Sequence, residues 1–332
     1  YSPSEQVYGK EISYNFSSLK ESVNSLFIFF NRKYQKDMAS KINSFDLFVR
    51  ENFNLSTDKY SSYQDLKANI LEYEVLICGS DQIWHLNLIN DPVFFLEFTE
   101  ELPKTRFISY AASIAEELTK EKYQELVKRV SHFSAISIRE KNDACKLRQL
   151  SKKKINWVLD PVFLLTKSDW RCISKDVDID EPYILCYEVS SSKIFSEALR
   201  IFKKKSGLRL VCINSRPYNK HNADVMLTDV SPQEFIGLIK NASVVFTSSF
   251  HAVVFSIVFE RQFFVVANKL RSSRHESILN ALNLESRLGY DLEDCIDLNE
   301  VKGIDYDKVR EKLLCLREAS LAYLNLSIKG QK

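Results

Sequence analysis

The segment 244–266 constrains the fold more than any other part of the chain. It reads VVFTSSFHAVVFSIVFERQFFVV. Both ends are β-branched and aromatic runs of strand length, whereas the middle is an apolar run that begins after two serines and ends at a charged pair. This pattern predicts a strand, a loop, a helix and a second strand, a unit typical of a parallel α/β sheet.

The same pattern puts residues 248–251 beyond the end of a buried strand and at the first turn of a helix. The first N–H groups of a helix lack internal acceptors, and the positive end of the helix dipole lies there, so anions bind well. His251 at such a position can exchange a proton with a bound ligand. The alternative is that His251 only caps the helix or packs in the core.

Composition narrows the class of protein. The chain has 332 residues, of which 45% are hydrophobic, enough for two domains. Its formal charge of +2 comes from nearly balanced acids and bases, so nothing in the overall charge favours a nucleic acid or an anionic membrane as partner. The seven glycines include no pair separated by a single residue, which excludes the GxGxxG dinucleotide fingerprint, and no Walker loop is present either.

The cysteines and histidines of the sequence predict a cytoplasmic protein without a metal site. Seven cysteines occur without a Cys-x-x-Cys pair, and several lie in apolar strand patterns, which predicts buried reduced thiols in a cytoplasmic protein. The five histidines show no ligand spacing, so we expect no metal site. The longest apolar run near the start, at 26–30, is too short for a transmembrane segment.

Strand and helix patterns alternate on both sides of the segment 166–181. That segment loses periodicity and turns acidic, so we interpret it as a linker. We expect an N-terminal α/β domain over 1–167 and a C-terminal α/β domain over 168–332, both Rossmann-like with parallel sheets, and a ligand cleft between them. One strand of the first domain is predicted at 107–113. The last helical pattern, at 309–324, could pack back across the junction.

Three side chains in the first half follow predicted strands at their carboxyl ends, where α/β sheets bind ligands. Ser80 and Asp81 follow one strand, and Arg139 follows another. Asp81 could orient a sugar hydroxyl or simply cap the next segment. The planar guanidinium of Arg139 could bind a carboxylate or phosphate at two points, or it could form an ion pair with Glu140 or Asp143.

Several short motifs occur in one order along the chain. They are CGSDQIW at 78–84, SYAAS at 109–113, ISIRE at 136–140, LDPV at 159–162, SPQEF at 231–235 and TSSFH at 247–251. Together they resemble the polysaccharide pyruvyl transferases over roughly residues 45–291. Members usually begin with a strand and a turn that contains asparagine and glycine, whereas this chain begins at Tyr1 without that unit. The resemblance therefore implies an N-terminally truncated member whose first βα unit is missing.

The resemblance also implies an architecture like that of GT-B glycosyltransferases. The family moves the enolpyruvyl carbons of phosphoenolpyruvate onto a sugar, typically as a cyclic ketal, during surface-polysaccharide assembly, and no cofactor besides this donor is expected. Carried over to this chain, Arg139 and His251 would bind the donor, with His251 as acid/base, and the backbone at Phe250 would help to hold it. The helix start at Ser249 suits one of the donor's anionic groups. Ala252 departs from the pattern, because glycine is common there.

Two other functions are compatible with the sequence. A nucleotide-sugar glycosyltransferase of the same architecture would hold its diphosphate near Arg274. If the protein is a pyruvyl transferase, Arg274 with Ser272 and Ser273 could instead hold the phosphates of an acceptor's carrier. A catalytically silent homologue could serve as a scaffold subunit of polysaccharide assembly. The acceptor sugar can be lipid-linked or nucleotide-linked, and a lipid-linked one would bring the protein to the inner face of the cell membrane.

Overall fold

The computed structural model describes residues 31–87, 91–98, 100–189, 192–214, 218–269, 272–297 and 302–330. Within these ranges the chain forms parallel sheets and eleven α-helices, so the predicted α/β class is confirmed. The apolar run at 26–30, and the start of the chain where a βα unit is expected to be missing, lie outside the described residues.

The described residues of the first half form four short parallel strands. Its elements are α1 (Arg32–Asn52), α2 (Tyr63–Asn69), β1 (Val75–Cys78), β2 (Arg106–Ser109), α3 (Lys120–Arg129), β3 (Ile136–Ile138), α4 (Lys141–Leu150) and β4 (Ile155–Trp157). β1 pairs with β2 and β3 pairs with β4, and a bridge between Ile108 and Ala135 joins the two pairs. The strand order is therefore β1-β2-β3-β4, and all four carboxyl ends lie at one edge.

The strand predicted at 107–113 ends earlier, at Ser109. Ala111 adopts a φ of 49°, which interrupts the extended backbone. The facing Gly79 has a φ of 126°, and a Cβ at this position would lie 2.1 Å from the carbonyl oxygen of Tyr110. The loops after β1 and β2 can approach this closely only because residue 79 is glycine.

The second half builds one six-stranded parallel sheet. Its elements are α5 (Lys167–Ile173), β5 (Tyr183–Tyr187), α6 (Lys193–Ser206), β6 (Arg209–Ile213), β7 (Val225–Leu227), α7 (Pro232–Asn241), β8 (Val244–Thr247), α8 (Phe250–Val258), β9 (Gln262–Val266), α9 (Ser273–Leu282), β10 (Leu288–Gly289), α10 (Leu292–Asp297) and α11 (Tyr306–Lys329). The strand order is β10-β9-β8-β5-β6-β7. With β5 counted as the first strand, this is the 3-2-1-4-5-6 order of a Rossmann fold, and its switch point lies between β5 and β8.

The unit predicted at 244–266 is confirmed as β8, α8 and β9. Ser249 caps α8, since its side chain accepts a hydrogen bond from Ala252 N. Eight of the nine residues of α8 are buried, which explains why the helix is apolar on every face. The start of this helix is thereby held at the edge of the sheet.

The interpretation of 166–181 as a linker without periodic structure is wrong for its first half, which forms α5. Thr166 caps this helix, and the Asp169 side chain accepts a hydrogen bond from the Thr166 backbone, so a capping box starts it. A helix of seven residues has too few turns to produce a clear apolar period. The domain boundary between residues 167 and 168 stays a prediction.

The last helix, α11, connects the two halves. Val309 packs in the core of the second half. Farther along, Ser320 Oγ accepts a hydrogen bond from Leu159 N at 3.0 Å, and Tyr323 OH donates to Ser109 O at 2.8 Å. The expected return of this helix across the junction is confirmed, and the helix fixes the two sheets relative to each other.

Two expectations from composition can be compared with the fold. None of the seven cysteines, all of which lie in the described ranges, forms a disulfide, and the expected burial holds for Cys78, Cys186, Cys212 and Cys295. Among the helices in the described ranges, none is both long enough and apolar enough to cross a bilayer.

Gly237 in α7 gives a test of the packing between this helix and the chain after α5. A Cβ at this position would lie 2.0 Å from the backbone oxygen of Lys175. Glycine to alanine in a helix normally stabilises by up to about 1 kcal/mol. We expect Gly237→Ala instead to lower the free energy of unfolding by about 1–3 kcal/mol, because the backbones must move apart.

Urea denaturation measures this change, and Gly303→Ala is its control. The closest atom to a Cβ at Gly303 is in the Gln262 side chain, at 3.8 Å, so this variant should unfold like the wild type. A Gly237→Ala protein as stable as the control would contradict the close approach of the two backbones.

Candidate active site

The carboxyl ends of both sheets face a cavity of about 780 Å³. The first half contributes residues that follow β1 and β2, and the second half contributes residues that follow β5, β8 and β9. The lining side chains include Asp81, Gln82, Tyr187, Ser249, Phe250, His251, Arg274, His275 and Tyr290. The predicted cleft between the halves is thus confirmed, and it lies at the switch point of the Rossmann sheet, where such sheets bind ligands.

The loop after β8 is held firmly against the end of β5. Thr247 Oγ1 donates a hydrogen bond to Tyr187 O at 2.6 Å, and Ser248 Oγ accepts one from Val189 N at 3.0 Å. Ser249 N then donates to Thr247 Oγ1 at 2.9 Å. These contacts fix the N-terminus of α8 at the cavity wall, where its first N–H groups have no acceptor within the helix.

His251 lies at the start of α8 with 41% of its side chain exposed and its Nε2 3.9 Å from Asp160 Oδ2. Burial lowers the pKa of His251 below its usual range, and the carboxylates of Asp160 and Asp81 only partly oppose this effect. The guanidinium groups of Arg139 and Arg274 lower the pKa further. The imidazole is therefore neutral at pH 7 and able to accept a proton.

Arg139 follows β3, is 3% exposed and is not among the residues that line the cavity. Its Nη1 donates to Asp160 Oδ2 at 2.6 Å, and its Nη2 donates to Asp81 Oδ1 at 3.1 Å. The guanidinium fork is thus occupied by two carboxylates that come from the ends of β1 and β4. Only the Asp81 contact opens toward the cavity, since that side chain is 55% exposed whereas Asp160 is 1% exposed.

The sequence suggested Glu140 or Asp143 as the ion-pair partner of Arg139, and both suggestions are wrong. Glu140 accepts a hydrogen bond from Ser113, and Asp143 accepts one from Tyr123. Side chains of adjacent residues in extended backbone point to opposite sides, so Glu140 faces away from Arg139. Burial raises the pKa of Asp143 to about 6, and this carboxyl belongs to the packing of α3 against α4.

Asp160 is a site residue that the sequence reasoning missed. Its Oδ1 accepts a hydrogen bond from Val162 N at 3.0 Å, which caps a short 3₁₀ helix (Pro161–Leu164). Its Oδ2 contacts both Arg139 and His251. The signal was an acid directly after a predicted strand, within LDPV, but only the tertiary structure brings the end of β4 beside α8.

Two guanidinium groups lie close to the ring of Phe250. The Cζ of Arg139 is 4.5 Å from the centre of the Phe250 ring, and the Cζ of Arg274 is 5.7 Å from it. With the Gln82 amide turned so that its oxygen faces Arg274, that oxygen accepts hydrogen bonds from both Nη atoms at 3.0 and 2.5 Å. Gln82 belongs to the first half and Arg274 to the second, so this contact, which the sequence did not suggest, spans the cleft.

The two candidates that follow β1 differ in their access to the cavity. Asp81 lines it, and although burial would raise the pKa of Asp81, Arg139 and His251 hold this pKa below its usual range. Asp81 is therefore ionised at neutral pH. Ser80 is not a lining residue, because its hydroxyl donates to Ala111 O at 2.8 Å and holds the loops after β1 and β2 together.

The candidates around α9 also differ. Ser272 is 2% exposed and donates a hydrogen bond to Glu276 Oε1 at 2.6 Å, and neither Ser272 nor Ser273 is among the lining residues. Arg274 alone of this group lines the cavity. Burial lowers the pKa of the neighbouring His275 to about 3, so its ring carries no charge.

The charges at the cleft suit an anionic ligand. Arg274 and the N-terminus of α8 supply the positive ends, and neutral His251 supplies a proton acceptor. In the part of the chain that the structure describes, no three or more His, Cys, Asp or Glu side chains gather as a metal site would require. The arrangement can therefore bind an anion and move a proton beside it.

Parallel sheets that face each other across a ligand cleft, one of them with Rossmann strand order, define an α/β protein of GT-B-like architecture. A model of the family described as polysaccharide pyruvyl transferase matches residues 10–269. This match spans most of the chain, and the chain belongs to that family. The family model matches from residue 10 onward, whereas the resemblance seen in the short motifs is placed from about residue 45 onward.

Several solved structures are similar to the chain at low identity. A putative UDP-N-acetylglucosamine 2-epimerase from Listeria monocytogenes is 10% identical over 90% of this chain and 81% of its own, with a TM-score of 0.48. A co-structure of MnaA with UDP from S. aureus is 10% identical over 92% of this chain and 87% of its own, with a TM-score of 0.48. The glycosyltransferase SnogD from Streptomyces nogalater is 9% identical over 67% of each chain, with a TM-score of 0.34. No curated protein matches the chain.

Asp160→Asn tests the electrostatic link between the buried carboxylate and the imidazole. The carboxylate stabilises the protonated ring, so its removal should lower the pKa of His251 further. Other charged groups that act on the ring include Asp81, Arg139 and Arg274. The Cε1 proton of His251, followed by NMR over a pH series and assigned with a His251→Gln sample, reports this pKa directly.

Asp143→Asn is the control for the substitution itself, because it replaces another buried carboxyl of the first half, one that bonds to Tyr123. It should leave the pKa of His251 unchanged. An equal pKa in wild type and Asp160→Asn, with both proteins folded, would contradict the link.

Proposed function

We propose that this protein transfers the enolpyruvyl group of phosphoenolpyruvate to a sugar of a surface-polysaccharide precursor and forms a pyruvate ketal. The observation that carries the proposal is His251 at the start of α8, beside Arg274, in the cleft of a member of the pyruvyl transferase family. The donor carries a phosphate and a carboxylate, and the cleft offers positive groups for both. The acceptor sugar supplies two hydroxyls.

In the proposed donor complex, one anionic group lies at the N–H groups of the first α8 residues and against Arg274. The donor carboxylate replaces Asp81 on Arg139 Nη2, while Asp160 keeps Nη1. This exchange is supported by the unequal exposure of the two carboxylates, 55% for Asp81 and 1% for Asp160. It brings the guanidinium of Arg139, which is covered in the free protein, into contact with the donor.

The donor's own negative charge raises the proton affinity of His251, so the imidazole becomes protonated beside it. His251 then donates this proton to C3 of the donor as the first sugar hydroxyl attacks C2, and the neutral ring accepts the hydroxyl proton. The bond from C2 to the phosphate oxygen breaks, phosphate leaves with the electron pair, and the second hydroxyl bonds to C2. The second hydroxyl proton leaves on the phosphate, which balances the reaction.

Donor binding is tested by thermal unfolding of the purified chain with phosphoenolpyruvate, UDP or UDP-N-acetylglucosamine. A ligand at a hundred times its Kd stabilises the folded state by about 2.7 kcal/mol. We expect stabilisation by phosphoenolpyruvate, and less in His251→Ala. Stabilisation by the nucleotides alone would instead favour a nucleotide-sugar glycosyltransferase, and binding without phosphate release in any acceptor mixture would favour a silent scaffold subunit.

Turnover tests the role of His251. His251→Gln keeps a polar side chain of similar reach but cannot transfer a proton, so phosphate release in the presence of acceptor should fall by about 10²–10⁴-fold. Phosphoenolpyruvate should still stabilise this variant. Turnover within a few-fold of the wild type would rule out the acid/base role.

Asp81→Asn separates the two roles open to this residue. If the donor carboxylate replaces Asp81 on Arg139, removing the competing charge should tighten phosphoenolpyruvate binding, by roughly three- to tenfold. Isothermal titration measures this affinity. If Asp81 orients the acceptor instead, donor affinity stays unchanged and the KM for the acceptor rises.

The control for Asp81→Asn is Glu117→Gln, which removes one negative charge at a side chain that is 77% exposed and paired with Lys146. It should alter neither the donor affinity nor the acceptor KM, because an exposed charge outside the cleft is screened by salt.

A further inference from the structure

A second cavity, of about 340 Å³, adjoins the cleft and differs from it in character. Tyr187, Ser249 and His251 line both cavities, so the residue that is placed to move a proton borders the second cavity as well as the cleft. Most of the residues that line the cleft are charged or polar, whereas most of those that line the second cavity are apolar or aromatic. We call it the aromatic cavity.

Four rings in edge-to-face contact form one wall of the aromatic cavity. The ring centres of Trp170 and Phe255 are 4.9 Å apart, those of Phe255 and Phe235 are 6.2 Å apart, and those of Phe235 and Tyr187 are 5.2 Å apart. The indole N–H of Trp170 donates to Val162 O at 2.9 Å, which fixes the end of this series. The wall is therefore a rigid apolar surface that leads to the cleft.

Helix α1 supplies the opposite wall through Lys41, Phe45 and Phe48. A hydrogen bond from Thr228 Oγ1 to Asp37 Oδ2, at 2.5 Å, ties this helix to the second half. Phe45 is 47% exposed, so the cavity has an open mouth between the helix and the ring wall. Burial lowers the pKa of Lys41, because its ammonium lies partly out of water, and this group can donate hydrogen bonds at the mouth.

We propose that the aromatic cavity binds one pyranose ring of the acceptor and directs its hydroxyls toward His251. The inference rests on the proposed function, which requires sugar hydroxyls beside an anionic donor. A pyranose ring has an apolar C–H face that packs on aromatic rings and hydroxyls around its rim that accept hydrogen bonds from groups such as Lys41. The two substrates thus match two adjoining cavities of opposite character.

The side chains that line the aromatic cavity argue against binding of the donor there. A donor with both phosphate and carboxylate would lose its hydration in the aromatic cavity and find a single ammonium there, which is costly. An alkyl chain would fit the apolar wall, but it would present no hydroxyl to His251. A sugar is the occupant that both packs on the rings and brings a reacting oxygen to the imidazole.

Saturation-transfer NMR with the full chain tests this site without knowledge of the natural acceptor. The probes are methyl β-D-galactopyranoside, methyl β-D-glucopyranoside, N-acetylglucosamine and n-octyl β-D-glucopyranoside. Saturation of the protein's aromatic protons should pass to the ring C–H protons of at least one pyranoside, and phosphoenolpyruvate should not displace it. Saturation confined to the octyl chain would overturn the proposal in favour of an alkyl ligand.

The variants are Phe45→Ala with Phe48→Ala, and separately Lys41→Gln, which keeps every ring. Loss of two rings should weaken pyranoside binding about tenfold, and Lys41→Gln should weaken it while the same ring protons stay saturated. Leu47→Ala is the matched control, because Leu47 is 55% exposed on the same helix and does not line the cavity. Binding that is unchanged in both test variants, or the absence of saturation with every pyranoside, would overturn the proposal.

Stabilisation by phosphoenolpyruvate, measured on the same samples, separates this inference from the proposed function. It should be unchanged in the aromatic variants, since the donor lies in the cleft. If pyranosides bind but phosphoenolpyruvate does not, the aromatic cavity stands as a sugar site and the proposed reaction fails. If phosphoenolpyruvate binds and no pyranoside does, the donor site stands and the present inference fails.

Discussion

The buried ion pair between Asp160 and Arg139 is the interaction on which the site depends. Its N–O distance is 2.6 Å, and the two side chains are 1% and 2% exposed. Breaking such a pair by removing one partner leaves an unpaired charge out of water and costs about 3–5 kcal/mol. The pair joins the ends of β3 and β4, and through Asp81 and His251 it extends to the end of β1 and the start of α8.

This network forms only if the two halves of the chain are held in a fixed position relative to each other. Helix α11 is anchored in the core of the second half and bonds to the first half through Ser320 and Tyr323. On the cleft side, Lys141 N donates to Ser277 Oγ at 2.9 Å, which links α4 to α9, and Gln82 bonds to Arg274. The carboxyl ends of both sheets are therefore fixed on either side of the same cavity, and residues from each can act on one ligand.

The surroundings of His251 differ from one side to the other. Toward the cleft are guanidinium groups and a helix N-terminus, which stabilise anions, and toward α1 are aromatic rings, which stabilise apolar surface. Burial lowers the pKa of the imidazole, and the carboxylates of Asp160 and Asp81 oppose this effect, so a negative charge that binds beside the ring raises this pKa. A proton-transfer group at such a boundary responds to the charge of whatever binds next to it.

The sequence by itself determined the local units and the family. The strand, loop, helix and second strand at 244–266 were predictable because apolar periodicity and turn signals act over a few residues. The ordered motifs gave the family, which the match over residues 10–269 bears out. Only the tertiary structure decided that Arg139 is buried and paired with Asp160, and that Asp160 also contacts His251. Strand order and the return of α11 set those distances, and neither is encoded in the spacing of any one segment.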